Sequence, residues 1–138
     1  MAEALFKNLI QERDDLNEEI SVSSAGVYAY EGDPASTEAR KTMKEEFGVD
    51  ISAHRAKVLD DRDIRESYLV LTMTAHHRKM ILEIYPEAAD KVYTLKNFAQ
   101  AEGESPDVCD PFGQDYETYK DCACEIEALL LDILDKIE

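Results

Sequence analysis

Basic residues are scarce in this sequence. Fifteen Lys and Arg stand against 31 Asp and Glu in 138 residues, a formal net charge of −16. A surface so negative repels phosphate backbones and anionic headgroups, which argues against nucleic acid and membrane surfaces as partners. Cysteine is also sparse: three, an odd number, suits reduced thiols rather than a disulfide framework. No apolar run approaches the ~20 residues of a membrane span. The opening Met1-Ala2-Glu3-Ala4-Leu5 has neither a basic n-region nor an apolar signal core, so a cytoplasmic protein is expected. Repeats, low-complexity tracts and linkers are missing too, which leaves one domain over 1–138.

What is present is enough for a core, since 44% of residues are hydrophobic. The acidity is uneven. Residues 101–138 hold 12 acids and two bases, a net −10, and residues 1–100 carry the remaining −6.

The chain opens with helical spacing at Ala2, Leu5, Phe6, Leu9 and Ile10, with no capping residue ahead of it. Ile20–Val27 predicts a short strand ending in a Gly turn. Ser36 is a candidate cap for a helix carrying Ala39, Met43 and Phe47 and closed by Gly48. Asp60 or Asp61 predicts the cap of a short helix through Ser67. Tyr68–Met73 is a nearly continuous apolar run, as in a strand buried on both faces of a parallel sheet. Ala75–Tyr85 predicts a helix stopped by Pro86, and Val92–Leu95 another strand. The cleanest period lies in Tyr116–Ile137, where Ile126, Leu129, Leu130, Ile133, Leu134 and Ile137 form one apolar stripe against a wet acidic face. This order of helices and strands predicts an α/β fold with a parallel sheet.

Six segments, in order along nearly the whole chain, resemble the low-molecular-weight protein tyrosine phosphatase family. They are Met1-Ala2-Glu3, Ser24-Ala25-Gly26, Ser52-Ala53-His54-Arg55, the run Leu69–Thr74, the run Val92–Lys96, and Asp110-Pro111-Phe112-Gly113 followed by Tyr116 and Tyr119. The resemblance implies a three-layer fold around a four-stranded parallel sheet. It implies a Cys-x5-Arg loop between the first strand and first helix, whose N–H groups hold phosphate and activate the thiolate. It implies an Asp-Pro loop that protonates the leaving group, no metal and no cofactor. Its substrates are phosphorylated proteins. The single aromatic Phe112 after the Pro, followed by Gly, is more similar to the bacterial protein-arginine phosphatases than to the tyrosine-specific branch.

This sequence departs from the family at one place. Six residues after Cys109, Cys122 and Cys124 stand Asp115, Ala128 and Leu130, so there is no Cys-x5-Arg. The match begins at Met1, just after the point where the loop would end. A first strand, the loop and its exit come to about 15 residues. The chain is therefore expected to be an N-terminally truncated phosphatase-like domain, inactive, and lacking the first, central strand. Four or five buried aliphatic side chains at ~1.5–3 kcal/mol each make that strand worth about 10 kcal/mol. Something is expected to compensate: rearranged pairing of the flanking strands, dimerisation through them or through the last helix, or a partner chain. The alternative is a natural pseudo-phosphatase acting as a binding module. An arsenate reductase of the same fold is disfavoured, because residues 68–108 contain no cysteine for a thiol relay.

The resemblance places Asp110 at the general-acid position and Phe112 at the aromatic wall of the substrate slot. It places Ser24 and His54 where side chains brace the phosphate loop, which here would have nothing to hold; the alternative is a satisfied polar pair near the strand ends. Without it, Asp110 is an Asp-Pro turn and Phe112 a loop anchor. Arg55 reads as a surface or capping charge. Adjacent His76 and His77 point about 100° apart on a helix and do not have the spacing of a metal pair. Cys122 and Cys124 cannot converge on one metal, and nothing lowers the pKa of Cys109.

Overall fold

Helix α1 (Ala2–Gln11) forms on the first apolar stripe and buries Leu5, Phe6, Leu9 and Ile10. Met1 is its N-cap and makes no side-chain bond to the first turn. The structure, a computed structural model, describes residues 1–12, 20–27, 29–100, 105–108 and 110–137.

Helix α2 (Thr37–Phe47) starts at Ser36, whose Oγ accepts from the Ala39 N–H at 3.2 Å. It stops at Gly48, left-handed at φ 66°, a conformation that only glycine adopts without a Cβ penalty. Helix α3 (Asp61–Glu66) carries a full capping box, with the Asp60 and Asp63 side chains each accepting from the other's backbone N–H. Strand β1 (Val70–Thr72), helix α4 (Ala75–Ile84), the 3-10 turn Pro86–Ala88 and strand β2 (Val92–Thr94) follow. Helix α5 (Leu95–Ala99) leads to the long helix α6 (Tyr116–Ile137).

β1 and β2 pair in parallel, Leu71 opposite Tyr93, joined by the α4 crossover that parallel strands require. Two cores lie on the two faces of this pair. Leu71 and Met73 pack against the larger one, in which α1, α2, α5 and α6 meet; Leu5, Met43, Ile133 and Leu134 there are fully buried. Val70 and Val92 belong to the smaller one with Ile64, Ile81 and Ala88. Among the described residues, no helix is long and apolar enough to cross a membrane.

Four expectations change. Ile20–Ala25 forms no strand; among the described residues only Gly26 bridges, in parallel, to Val58. Ile20 and Val22 are half-buried against the larger core while Ser21 and Ser23 are exposed. The alternation survives, but a ladder needs a neighbour. Direct pairing of this segment with β1, one of the expected rearrangements, is not found among the described residues. The Tyr68–Met73 strand is shorter than predicted and not buried on both faces: Tyr68 is 91% exposed, and only Thr72 of β1 is buried. Finally, Leu95 begins a helix rather than ending a strand, because the Thr94 Oγ1 accepts from the Asn97 N–H at 3.1 Å.

Candidate functional site

A cavity of about 650 Å³ opens beyond the C-terminal end of β1, the place where open parallel sheets bind ligands. Its apolar wall includes Met1, Ile51, Met73, Val108 and Ile126. Its polar wall includes Glu3, Lys7, Ser24, Asp50, His54 and Asp110.

The strand end sets one side. After β1 the chain turns at Thr74, whose Oγ1 accepts from the His77 N–H at 3.1 Å and starts α4. The stretch before Asp110 is stitched to this turn twice. The Val108 N–H donates to the Met73 carbonyl at 2.8 Å, and the Ala75 N–H donates to Asp107 Oδ1 at 2.7 Å. Asp110 follows two residues later, exposed at the cavity. Its Oδ1 accepts from the Phe112 N–H at 3.0 Å, an Asx turn. The loop closes through Gln114 N–H to the Pro111 carbonyl at 2.9 Å, with Gly113 at φ 81°. Asp115 then accepts from the Thr118 N–H and hydroxyl at 3.0 and 2.8 Å. Those two bonds hold its carboxyl below the usual carboxylate range.

The first turn of α1 sets the other side, and Glu3 is its centre. Ser24 Oγ donates to Glu3 Oε1 at 3.2 Å. His54 Nδ1 and Lys7 Nζ each stand 3.6 Å from Glu3 Oε2. Ser24 and His54 therefore both have Glu3 as a partner, which is the satisfied polar arrangement. Burial pushes the Met1 α-amino group below its ordinary value, with Glu3 pulling the other way. His54 is fixed from behind. Its N–H donates to the Ile51 carbonyl at 3.1 Å, and Arg55 Nη1 donates to the His54 and Ser52 carbonyls at 2.8 and 2.9 Å.

Asp110, Ser24 and His54 thus share one cavity, and Phe112 does not line it: its ring is 76% exposed. The reason is local, since the Asx turn engages its backbone and leaves the side chain outward. His77 lines the cavity beside Thr74; His76 does not. Cys122 is half-buried at the cavity and Cys124 is exposed on α6, while Cys109 lies outside the described residues. Glu3 escaped the sequence reading because Ser24 and His54 come from 21 and 51 positions away; only Lys7, at i+4, is a local partner.

The whole chain, residues 1–138, matches the family model for low molecular weight phosphotyrosine protein phosphatase. A protein-arginine-phosphatase of Geobacillus stearothermophilus is 40% identical over 119 residues, covering 86% of this chain and 78% of that protein. One of Bacillus subtilis is 36% identical over 138 residues, covering 100% and 87%. A solved low molecular weight protein tyrosine phosphatase from T. tengcongensis superposes with a TM-score of 0.87 at 41% identity, covering 98% of this chain and 88% of that one. The chain belongs to the low molecular weight phosphotyrosine protein phosphatase family.

Proposed function

We propose that this chain, a single domain over 1–138, carries the acid-loop side of a protein phosphatase site and does not itself turn over phosphate. In family members that carry a Cys-x5-Arg loop the reaction passes through a cysteinyl phosphate, with phosphoarginine or phosphotyrosine proteins as substrates. Here Asp110 takes the general-acid position, with Ser24 and His54 as supports, while Phe112 is exposed on the same loop and does not line the cavity. The likeness to two arginine phosphatases favours phosphoarginine proteins as the substrate class of such a site.

The observation that carries the inactivity is chemical. Attack on phosphorus needs a thiolate and a cradle of N–H groups with an arginine. In these 138 residues no cysteine is followed by Arg at the sixth position. The described cysteines, Cys122 and Cys124, lie inside α6 rather than at a strand-to-helix loop. The cavity remains open at 650 Å³, which supports the second reading, a non-catalytic binding module in the cytoplasm.

The test is an assay of the 138-residue chain against p-nitrophenyl phosphate and a phosphoarginine protein. No turnover above background is expected. Turnover that disappears in Asp110→Ala would overturn the reading.

A further inference from the structure

We propose that Ser24, His54 and Lys7 form an oxyanion-holding node that Glu3 fills from within the chain, and that a phosphate anion takes the node when Glu3 withdraws.

Three donors from three separate parts of the chain converge on one carboxylate. Ser24 comes from the segment before Gly26, His54 from the turn at 51–55, and Lys7 from the second turn of α1. They stand 3.2, 3.6 and 3.6 Å from the two Glu3 oxygens. A phosphate presents the same acceptor-only oxygens to the same kinds of donor. The Glu3 side chain is 19% exposed and that of Lys7 51%, so the node reaches solvent once the carboxylate leaves.

The charge pattern supports the assignment. Lys7 brings a positive charge to this wall and His54 a ring nitrogen, and Glu3 takes both. The other carboxylates at the cavity are held elsewhere: Asp50 accepts from the Ser52 N–H at 2.8 Å and Asp110 from the Phe112 N–H at 3.0 Å. His77 reaches the cavity from the start of α4. Removing the Glu3 charge leaves a local cationic focus in a chain of net −16.

Glu3 is tethered, so it competes as an intramolecular ligand at an effective concentration of the order of mM. Free phosphate then binds the wild-type chain with the intrinsic affinity of the node reduced by the fraction of time the node is open. The contact is autoinhibitory in that sense. It stands apart from the turnover proposal, since binding and hydrolysis are read in separate assays.

The experiment is an NMR titration with inorganic phosphate at one fixed pH, with chloride-matched ionic strength. The full chain is compared with Glu3→Ala, Glu3→Gln and the double variants Glu3→Ala/Lys7→Ala and Glu3→Ala/His54→Ala. Glu3→Ala is expected to bind roughly tenfold more tightly than wild type, with shifts centred on Ser24 and His54. Glu3→Gln, which keeps the shape and removes the charge, is expected to fall between them. Each double variant is expected to lose the gain. The proposal is overturned if neither Glu3 variant binds more tightly than wild type, or if the gain survives removal of Lys7 and of His54.

Discussion

Ser36 Oγ donates to the Tyr119 hydroxyl at 3.1 Å while accepting from the Ala39 N–H at 3.2 Å. One oxygen thus starts α2 and ties it to the first turns of α6, 83 positions later. Tyr119 is buried in the larger core and Ser36 half-buried, so water competes poorly for the bond.

That double role gives the first prediction. Ser36→Ala is expected to cost about 2 kcal/mol, about 1 from the lost cap and about 1 from the lost bond. Tyr119→Phe is expected to cost about 1 kcal/mol, leaving the cap intact. Urea unfolding of both single variants and the double variant checks this: the double should cost less than the sum of the singles, because both remove the same bond.

The α6 stripe should behave as core along its length. Ile133 is fully buried, and Ile133→Ala is expected to cost about 2–5 kcal/mol. Leu131, two residues away, is 41% exposed on the same helix. Leu131→Ala should stay within about 0.5 kcal/mol. Similar losses at both positions would mean that the stripe does not separate core from solvent.

How far the sequence speaks for the structure depends on where each partner comes from. The α6 helix was legible end to end because its period repeats over 22 residues. The caps at Ser36 and Asp60 and the stop at Gly48 were legible because they are local chemistry. The Asp60–Asp63 box was not read in full, since Asp at N3 replaces the Glu or Gln that usually closes it. Thr94 was missed as a cap for the opposite reason: Val92–Leu95 reads as β-branched and apolar, and the helix signal at Thr94–Asn97 is hidden inside it. The strand of Ile20–Val27 failed because alternation fixes which side chains face in but supplies no partner for the backbone. In the site, Asp110 was legible as a motif, while the Glu3 node depends on contacts that no spacing records.

At low pH the α3 cap should weaken. The Asp60 carboxyl titrates below its ordinary 3.8, chiefly because it accepts from the Asp63 N–H, with Lys57 adding to it. A folded-state pKa below the unfolded one contributes stability above the unfolded value, and that contribution is lost as pH falls through the folded value. Carboxyl-carbon NMR titration is the check, and an Asp60 midpoint at or above 3.8 would contradict it. Asp60→Asn should remove this part of the acid limb, and Asp63→Ala should move the Asp60 midpoint little, because the donor that matters most is a backbone N–H.

The opposite sign holds at the far end of the pH range. The Tyr116 hydroxyl donates to Glu46 Oε1 at 2.5 Å, across the ends of α2 and α6, with Lys41 Nζ 4.9 Å from the ring centroid and Lys120 Nζ 3.8 Å from the same carboxylate oxygen. That hydrogen bond, helped by partial desolvation and the neighbouring charges of Glu46 and Glu45, pushes the phenol well above its ordinary 10.0 despite the two lysines. A raised folded-state pKa contributes stability that is complete below the unfolded value and is lost as pH climbs through the folded one. Stability should therefore decline from about pH 10 upward, with Tyr116 remaining protonated after ordinary phenols have ionised. In Glu46→Gln the acceptor charge is gone while the shape is kept. Its Tyr116 midpoint, read from the ring-carbon NMR signals, should drop toward 10.0, and the alkaline loss of stability should flatten with it. A Tyr116 midpoint that does not move in Glu46→Gln would show that the clasp between α2 and α6 does not run through this bond.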